Sequence, residues 1–368
     1  MKLNIPKYIQ KLSPCLPEKT PEQAECESGG KDTVTLASNE NPWGPSPRVV
    51  AALRESLSSL HRYPDGSCHS LVSDIAGHFG ILPGEVVVGN GSTELVELLV
   101  RAFVEDGDEV VSSYPSFLIY QKCVQARGGI NRVIPLKDMA HDLKSILAAI
   151  SLKTRLIFLD NPNNPTGTHV NPVELYTFFS RVPEHVLVVL DQAYVDFMEP
   201  DLQLDVYSLI RNREGRCGVV FLRTFSTVYG LSGLRVGFGL MAQEIAECVH
   251  KVRQPFNVNS LAQAAAGIAL EDREHYRLTI ERTVAGRAYL MAAVDRLGCI
   301  SYPSQTNFVL IDVLGDAEIL YQSLFHKGVR VRPMAAYGYP TCIRVTIGTD
   351  EENDRFLAAL SASLKELD

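Results

Sequence analysis

The 368-residue sequence has no lysine between Lys153 and Lys251, no Cys-x-x-Cys pair, no basic run and no apolar stretch of membrane-spanning length. Each absence excludes something. A site built inside that lysine-free window has no side-chain amine of its own. Eight scattered cysteines (Cys15, Cys26, Cys68, Cys123, Cys217, Cys248, Cys299 and Cys342) form no zinc-site spacing, so no metal is expected. In a chain of this size they read as reduced, mostly buried thiols of a cytoplasmic protein. With 35 basic and 43 acidic side chains the formal charge is −8, which argues against nucleic acid or an anionic membrane as the main partner. A small anionic ligand needs only a few local arginines and stays compatible. Residues 1–12 carry lysines but too short an apolar run for a signal peptide.

What is present is ordinary for a globular enzyme: 46% hydrophobic and 21% charged residues. The length exceeds what one core usually serves, so two lobes are expected. About forty N-terminal residues are polar and broken by Pro14, Pro17, Pro21 and Gly29-Gly30, an arm rather than a core element. Apolar runs then recur at 85–88, 109–112, 155–159, 186–190 and 218–222, with helix-period stretches such as 92–104 and 172–180 between several of them. Continuous apolar strands alternating with helices predict a parallel sheet buried on both faces. After about Val258 a long helical stretch, 261–296, leads into a smaller α+β lobe with strands near 307–313, 329–332 and 343–347 and a helix over 317–327.

The predicted strands end in polar or glycine-containing residues, and in open α/β sheets the ligand lies outside those carboxyl ends. Gly89-Asn90-Gly91-Ser92-Thr93-Glu94 follows a strand and opens a helix. Its first-turn N–H groups suit a phosphate, although Ser92 or Thr93 with Glu94 would serve equally as a plain helix cap. Asn163-Asn164-Pro165-Thr166-Gly167 is, taken alone, a turn. Asp191 in Asp191-Gln192-Ala193-Tyr194 is costly at a buried strand end unless paired. It either caps the next segment or holds a pyridine nitrogen protonated. In the segment 223–237, Thr224, Ser226 and Arg235 offer two hydroxyls and a guanidinium, a set suited to a phosphate dianion; by itself an arginine on a solvated loop is the blander reading.

In this order, with Leu36-Ala37-Ser38-Asn39-Glu40-Asn41-Pro42-Trp43-Gly44-Pro45, Arg62-Tyr63-Pro64-Asp65-Gly66 and Ile343-Arg344-Val345-Thr346-Ile347-Gly348-Thr349, the motifs resemble fold-type I (class I/II) pyridoxal-phosphate aminotransferases over nearly the whole chain, and most of all the histidinol-phosphate aminotransferase family. The resemblance implies an α/β fold whose large domain has a mostly parallel central sheet covered by helices, plus a smaller α+β domain. It divides the chain into an arm over 1–44, packing with the small domain and a dimer partner, a large cofactor-binding domain over 45–258 and a small domain over 259–368. It implies pyridoxal 5′-phosphate as cofactor, an amino donor and a 2-oxo acid as small-molecule partners, a place in histidine biosynthesis, and a cytoplasmic homodimer with shared sites.

By position it implies that Gly91, Ser92, Thr93, Thr224, Ser226 and Arg235 hold the phosphate. Phe117 would stack on the ring, Asn164 and Tyr194 would bond its O3′, and Asp191 would pair with its nitrogen. Tyr63 would reach the phosphate of the other subunit, and Arg344 the substrate's acidic group, with Asn41, Asn307 and Arg332 also on the substrate side. Two positions depart from the pattern. Thr227 stands where the family has the lysine that bonds the cofactor, with Arg235 eight positions later fixing the register, and a hydroxyl cannot condense with an aldehyde. In the arm, Cys15 replaces a family tyrosine near the substrate side chain, and Glu18 a glycine. Cofactor affinity should survive, and turnover becomes the question. The alternatives are a paralogue that binds the cofactor noncovalently without turnover, and a threonine-phosphate decarboxylase, for which Thr227 is equally awkward.

Overall fold

A computed structural model describes residues 4–14, 33–211 and 217–367. The arm positions Cys15 and Glu18 lie outside these. The arm's last part forms β1 (Val34–Thr35), which pairs in parallel with residues 329–330 of the smaller lobe.

Seven strands make the large sheet: β2 (Val86–Gly89), β3 (Glu109–Tyr114), β4 (Ile130–Pro135), β5 (Thr154–Asp160), β6 (Leu187–Asp191), β7 (Gly218–Thr224) and β8 (Gly237–Leu240). Their order is β2-β8-β7-β6-β5-β3-β4, with β8 antiparallel to both neighbours and the others parallel. The central strands are apolar throughout because each face meets its own core. Ile157, Leu159, Val188, Leu190, Val219 and Phe221 face one, and Leu156, Phe158, Val189, Val220 and Leu222 the other. Emptying one such position, as in Phe221→Ala, would cost about 3–5 kcal/mol. The edge strand β4 was not expected; it is largely exposed, with Ile130 and Val133 open to solvent, and so lacks a continuous apolar run. The predicted helices at 92–104 and 172–180 are present as Ser92–Phe103 and Pro172–Phe179.

The long helix expected over 261–296 is two helices, Ser260–Glu271 and Arg273–Arg296. Asp272 leaves helical geometry between them and its side chain accepts from the His275 N–H, so it caps the second. The first buries Ala262, Ala265, Ala266 and Ala269 in the large-lobe core. This helix thus packs in the same core as one face of the large sheet. The smaller lobe follows: β9 (Ile300–Ser301), β10 (Phe308–Asp312), β11 (Val329–Arg330), β12 (Arg332–Pro333) and β13 (Cys342–Thr346). Its antiparallel sheet has the order β12-β13-β10-β9, and its core includes Leu290, Val294, Ile311, Leu324, Val345, Phe356 and Leu360. No helix among the described residues is long and apolar enough to cross a membrane.

Candidate active site

Because β2, β3, β5, β6 and β7 run in one direction, their carboxyl ends open on one side of the sheet. There lies a hollow of about 210 Å³, lined by Ser92, Thr93, Phe117, Asn164, Asp191, Tyr194, Thr224, Ser226, Thr227 and Arg235. The strand-end motifs thus converge on one space, together with Ser38, Asn39, Glu40, Tyr120, Asp160, Pro162, Ala193 and Ser232.

At one end the helix Ser92–Phe103 points its N-terminus inward. The N-cap is Gly91, with φ of +79° and no side-chain cap. Neither Ser92 nor Thr93 caps this helix, so the capping alternative is not realised. Glu94 turns away, accepting from the Asn90 N–H and the Asn257 amide, each at 2.6 Å. First-turn N–H groups and the Arg235 guanidinium therefore face the same end, an anion-binding arrangement. A Cβ on Gly91 would stand 2.8 Å from Arg235 Nη2, so glycine there makes room for the guanidinium. Gly237 does the same for β8, where a Cβ would lie 2.5 Å from the Ser92 nitrogen. Arg235 Nη1 donates to the Ser232 carbonyl at 2.9 Å and to Ser226 Oγ at 3.4 Å, and Thr224 Oγ1 accepts from the Ser226 N–H.

Asp191 lies at the floor. Its Oδ2 accepts from the Tyr120 hydroxyl at 2.9 Å and its Oδ1 from the Ala193 N–H at 3.1 Å. Burial pushes its pKa up to about 7; the Tyr120 bond opposes that shift and the neighbouring Asp160 adds to it. A buried carboxylate with this pKa is poised to take a positively charged partner such as a protonated ring nitrogen. Phe117 stands edge-on to Tyr120, whose ring stacks on Phe158. At the other wall the Tyr194 oxygen accepts from Asn39 Nδ2 at 2.9 Å and Asn164 Nδ2 at 3.2 Å. Its own O–H remains to donate, and burial raises its pKa.

Thr227 sits in the hollow, 5% exposed, and its Oγ1 donates to the Ala193 carbonyl at 3.0 Å. Among the described residues no lysine or other amine lines the space. The residues present fit a phosphorylated pyridine aldehyde by three observations: the glycine-cleared anion cup, the buried Asp191 and the aromatic wall. They lack the group that would bond its aldehyde.

The substrate-side residues divide. Arg344 Nη1 donates to Asn164 Oδ1 at 2.6 Å and Nη2 to the Ala37 carbonyl, so it meets the hollow through Asn164. Asn307 supports the rim by donating to the Asn39 carbonyl; its buried Oδ1 has no partner among the described residues. Asn41 and Arg332 are not brought in. The Asn41 amide holds the Val228 carbonyl, next to Thr227, and Arg332 lines a separate hollow of the smaller lobe. Tyr63 is 83% exposed and stacks on Phe256, away from this chain's own hollow.

Among the lining residues that the sequence left unassigned, Asp160, Asn39 and Tyr120 bond directly to the assigned ones. Asp160 ends β5 beside Asp191; it accepts from Ser116, Asn163 and the Asn164 N–H and meets His141 Nε2 at 3.2 Å. The strand-end signal that marked Asp191 applied to it equally. Asn39 lay inside a quoted motif. Tyr120 carried no local signal.

The fold and the cup define a class, and comparison with known proteins agrees: the chain belongs to the aminotransferase class I and II family, whose model matches residues 31–360. Within it the chain belongs with the histidinol-phosphate aminotransferases. It is 58% identical over 367 residues to the one from Desulfotalea psychrophila, covering 100% of this chain and 97% of that protein. The crystal structure of histidinol-phosphate aminotransferase from Sinorhizobium meliloti in complex with pyridoxal-5′-phosphate superposes with a TM-score of 0.92 at 30% identity, covering 100% of this chain and 99% of that one. L-threonine-O-3-phosphate decarboxylase from Porphyromonas gingivalis matches with a TM-score of 0.80 at 24% identity, covering 90% of this chain and 99% of that one, a likeness of fold alone.

Proposed function

We propose that this chain binds pyridoxal 5′-phosphate noncovalently and is built for amino-group transfer between histidinol phosphate and 2-oxoglutarate, at a rate held down by Thr227. The observation that carries the reading is the convergence of Asp191, Asn164, Tyr194, Ser92 and Arg235 on one hollow that Thr227 also lines. When bound, the cofactor supplies an electron sink for the bond to the substrate α-carbon. This chain's residues hold and orient it. Ser92, Thr93, Thr224, Ser226 and Arg235 take the phosphate, Asp191 keeps a proton at the ring nitrogen, and Tyr194 with Asn164 fixes the ring oxygen. Arg344 orients the substrate's acidic end through the Asn164 contact. An amine–ammonium pair would accept and return the α-proton; a neutral hydroxyl already donating to a backbone carbonyl does neither.

The exposed Tyr63 on Phe256 supports a homodimer in which Tyr63 completes the partner's phosphate cup, in the cytoplasm. The direct test is glutamate formation from histidinol phosphate and 2-oxoglutarate. Measurable turnover above a protein-free blank supports the transferase reading. None, with cofactor bound, supports the second reading: a cofactor-binding protein without turnover, favoured by the Thr227–Ala193 bond. Carbon dioxide released from threonine phosphate would replace both with a decarboxylase.

A further inference from the structure

A second hollow, of about 340 Å³, shares Thr224 in its lining with the first. Its walls include His78, Phe79, Asp196, Arg223, Tyr229 and Tyr276. Arg223 is only 9% exposed. Its Nε donates to Gln192 Oε1 at 2.9 Å, and its guanidinium lies over the Phe79 ring at 5.4 Å. Nη1 is 3.7 Å from Asp196 Oδ1, beyond hydrogen-bond reach. Among the described residues no other acceptor serves it, so of five N–H donors one is used. Asp196 is similarly half-served: Oδ1 accepts from the Tyr276 hydroxyl at 2.8 Å, and Oδ2 accepts nothing among the described residues. The Tyr229 hydroxyl, on the turn closed by the Gly230 N–H to Thr227 carbonyl bond, has no hydrogen-bond partner among them either.

These guanidinium donors and the carboxylate oxygen facing them open on the hollow, where a ligand carrying both charges can replace water on each. We propose that this hollow is a second ligand site, for the zwitterion of a free α-amino acid: its carboxylate on Arg223 and its ammonium on Asp196. A lone anion would meet Asp196, and a lone cation Arg223; a molecule with both charges one carbon apart offsets both. The planar carboxylate matches the guanidinium fork. Burial lowers the His78 pKa, which leaves the opposed pair as the main charges, with Asp205 engaged by Ser208 and Arg273 acting on His78 from outside the lining. The apolar side of the hollow, Phe79, Leu204, Val206 and Phe238, receives the ligand's side chain. An occupant there touches Tyr229 and Thr224, and so bears on the turn carrying Thr227 and on the phosphate cup.

The test uses the full chain saturated with pyridoxine 5′-phosphate, whose alcohol cannot condense with an amine; binding of that compound is measured first, which separates failure of the main-site reading from failure of this one. Calorimetric titration with L-alanine should then show one equivalent bound per chain, about tenfold or more tighter than acetate or methylammonium. Arg223→Met should weaken alanine by about tenfold or more, and Arg344→Gln should leave it unchanged. Alanine binding that survives Arg223→Met, or that Arg344→Gln abolishes, overturns the proposal. If Arg223→Met does not fold, the wild-type series decides: alanine held no tighter than acetate also overturns it.

Discussion

The floor of the main hollow and the turn above it tell different stories. The floor is built from strand ends and a helix N-terminus, and each group has a role toward a bound ring and phosphate: Asp191 held by Tyr120, Arg235 fitted against Gly91, Tyr194 between two amides. The turn offers Thr227, whose hydroxyl is tied to the Ala193 carbonyl. Holding a cofactor and bonding to it are thus separable here. The first draws on many residues spread over five strands, and the second on one side chain.

The strongest way to break the contrast is Thr227→Lys. Restoring the amine should produce a visible absorbance band of lysine-bound cofactor and raise glutamate formation by at least about 10²–10⁴-fold, the range for a positioned proton carrier. No band would mean the floor does not place the aldehyde beside residue 227. Next in size, Arg235→Met should weaken cofactor binding by about 10- to 100-fold, the loss of charge-assisted bonds, read by fluorescence titration. An unchanged affinity would remove the phosphate cup from the account.

Asp191 gives a pH signature. Its folded pKa, raised by burial to about 7, exceeds an unfolded value near 4. Between those limits the cofactor-free folded chain holds a proton that the unfolded chain has lost, so this group's stabilising contribution falls as pH rises through the window. Melting temperatures of cofactor-free protein should decline from about pH 4 to 7 more steeply than those of Asp191→Asn; parallel curves would contradict the buried carboxyl. The smallest effect belongs to Tyr120→Phe, which removes a bond that lowers the Asp191 pKa. It should move the midpoint of that decline upward.

Much of this is legible in the sequence. Apolar runs gave the central strands because both sheet faces are buried, and β4 escaped because an exposed edge needs no such run. Asp191 and Arg235 were readable from strand-end position and charge. Tyr120 was not, because what matters about it is a bond to a residue 71 positions away. Asn41 and Asn39 show the limit of a motif: two asparagines two residues apart, of which Asn39 reaches Tyr194 and Asn41 ties down Val228. The break at Asp272 was hidden inside a continuous helical pattern, since one capping side chain suffices to divide it.

The most direct test compares the dissociation constants of pyridoxal 5′-phosphate and pyridoxine 5′-phosphate, which differ only in aldehyde against alcohol. The account predicts that the chain with Thr227 binds both with nearly equal affinity, and that Thr227→Lys tightens the aldehyde alone. A strong preference of the Thr227 chain for the aldehyde, or failure to bind either compound, would contradict it.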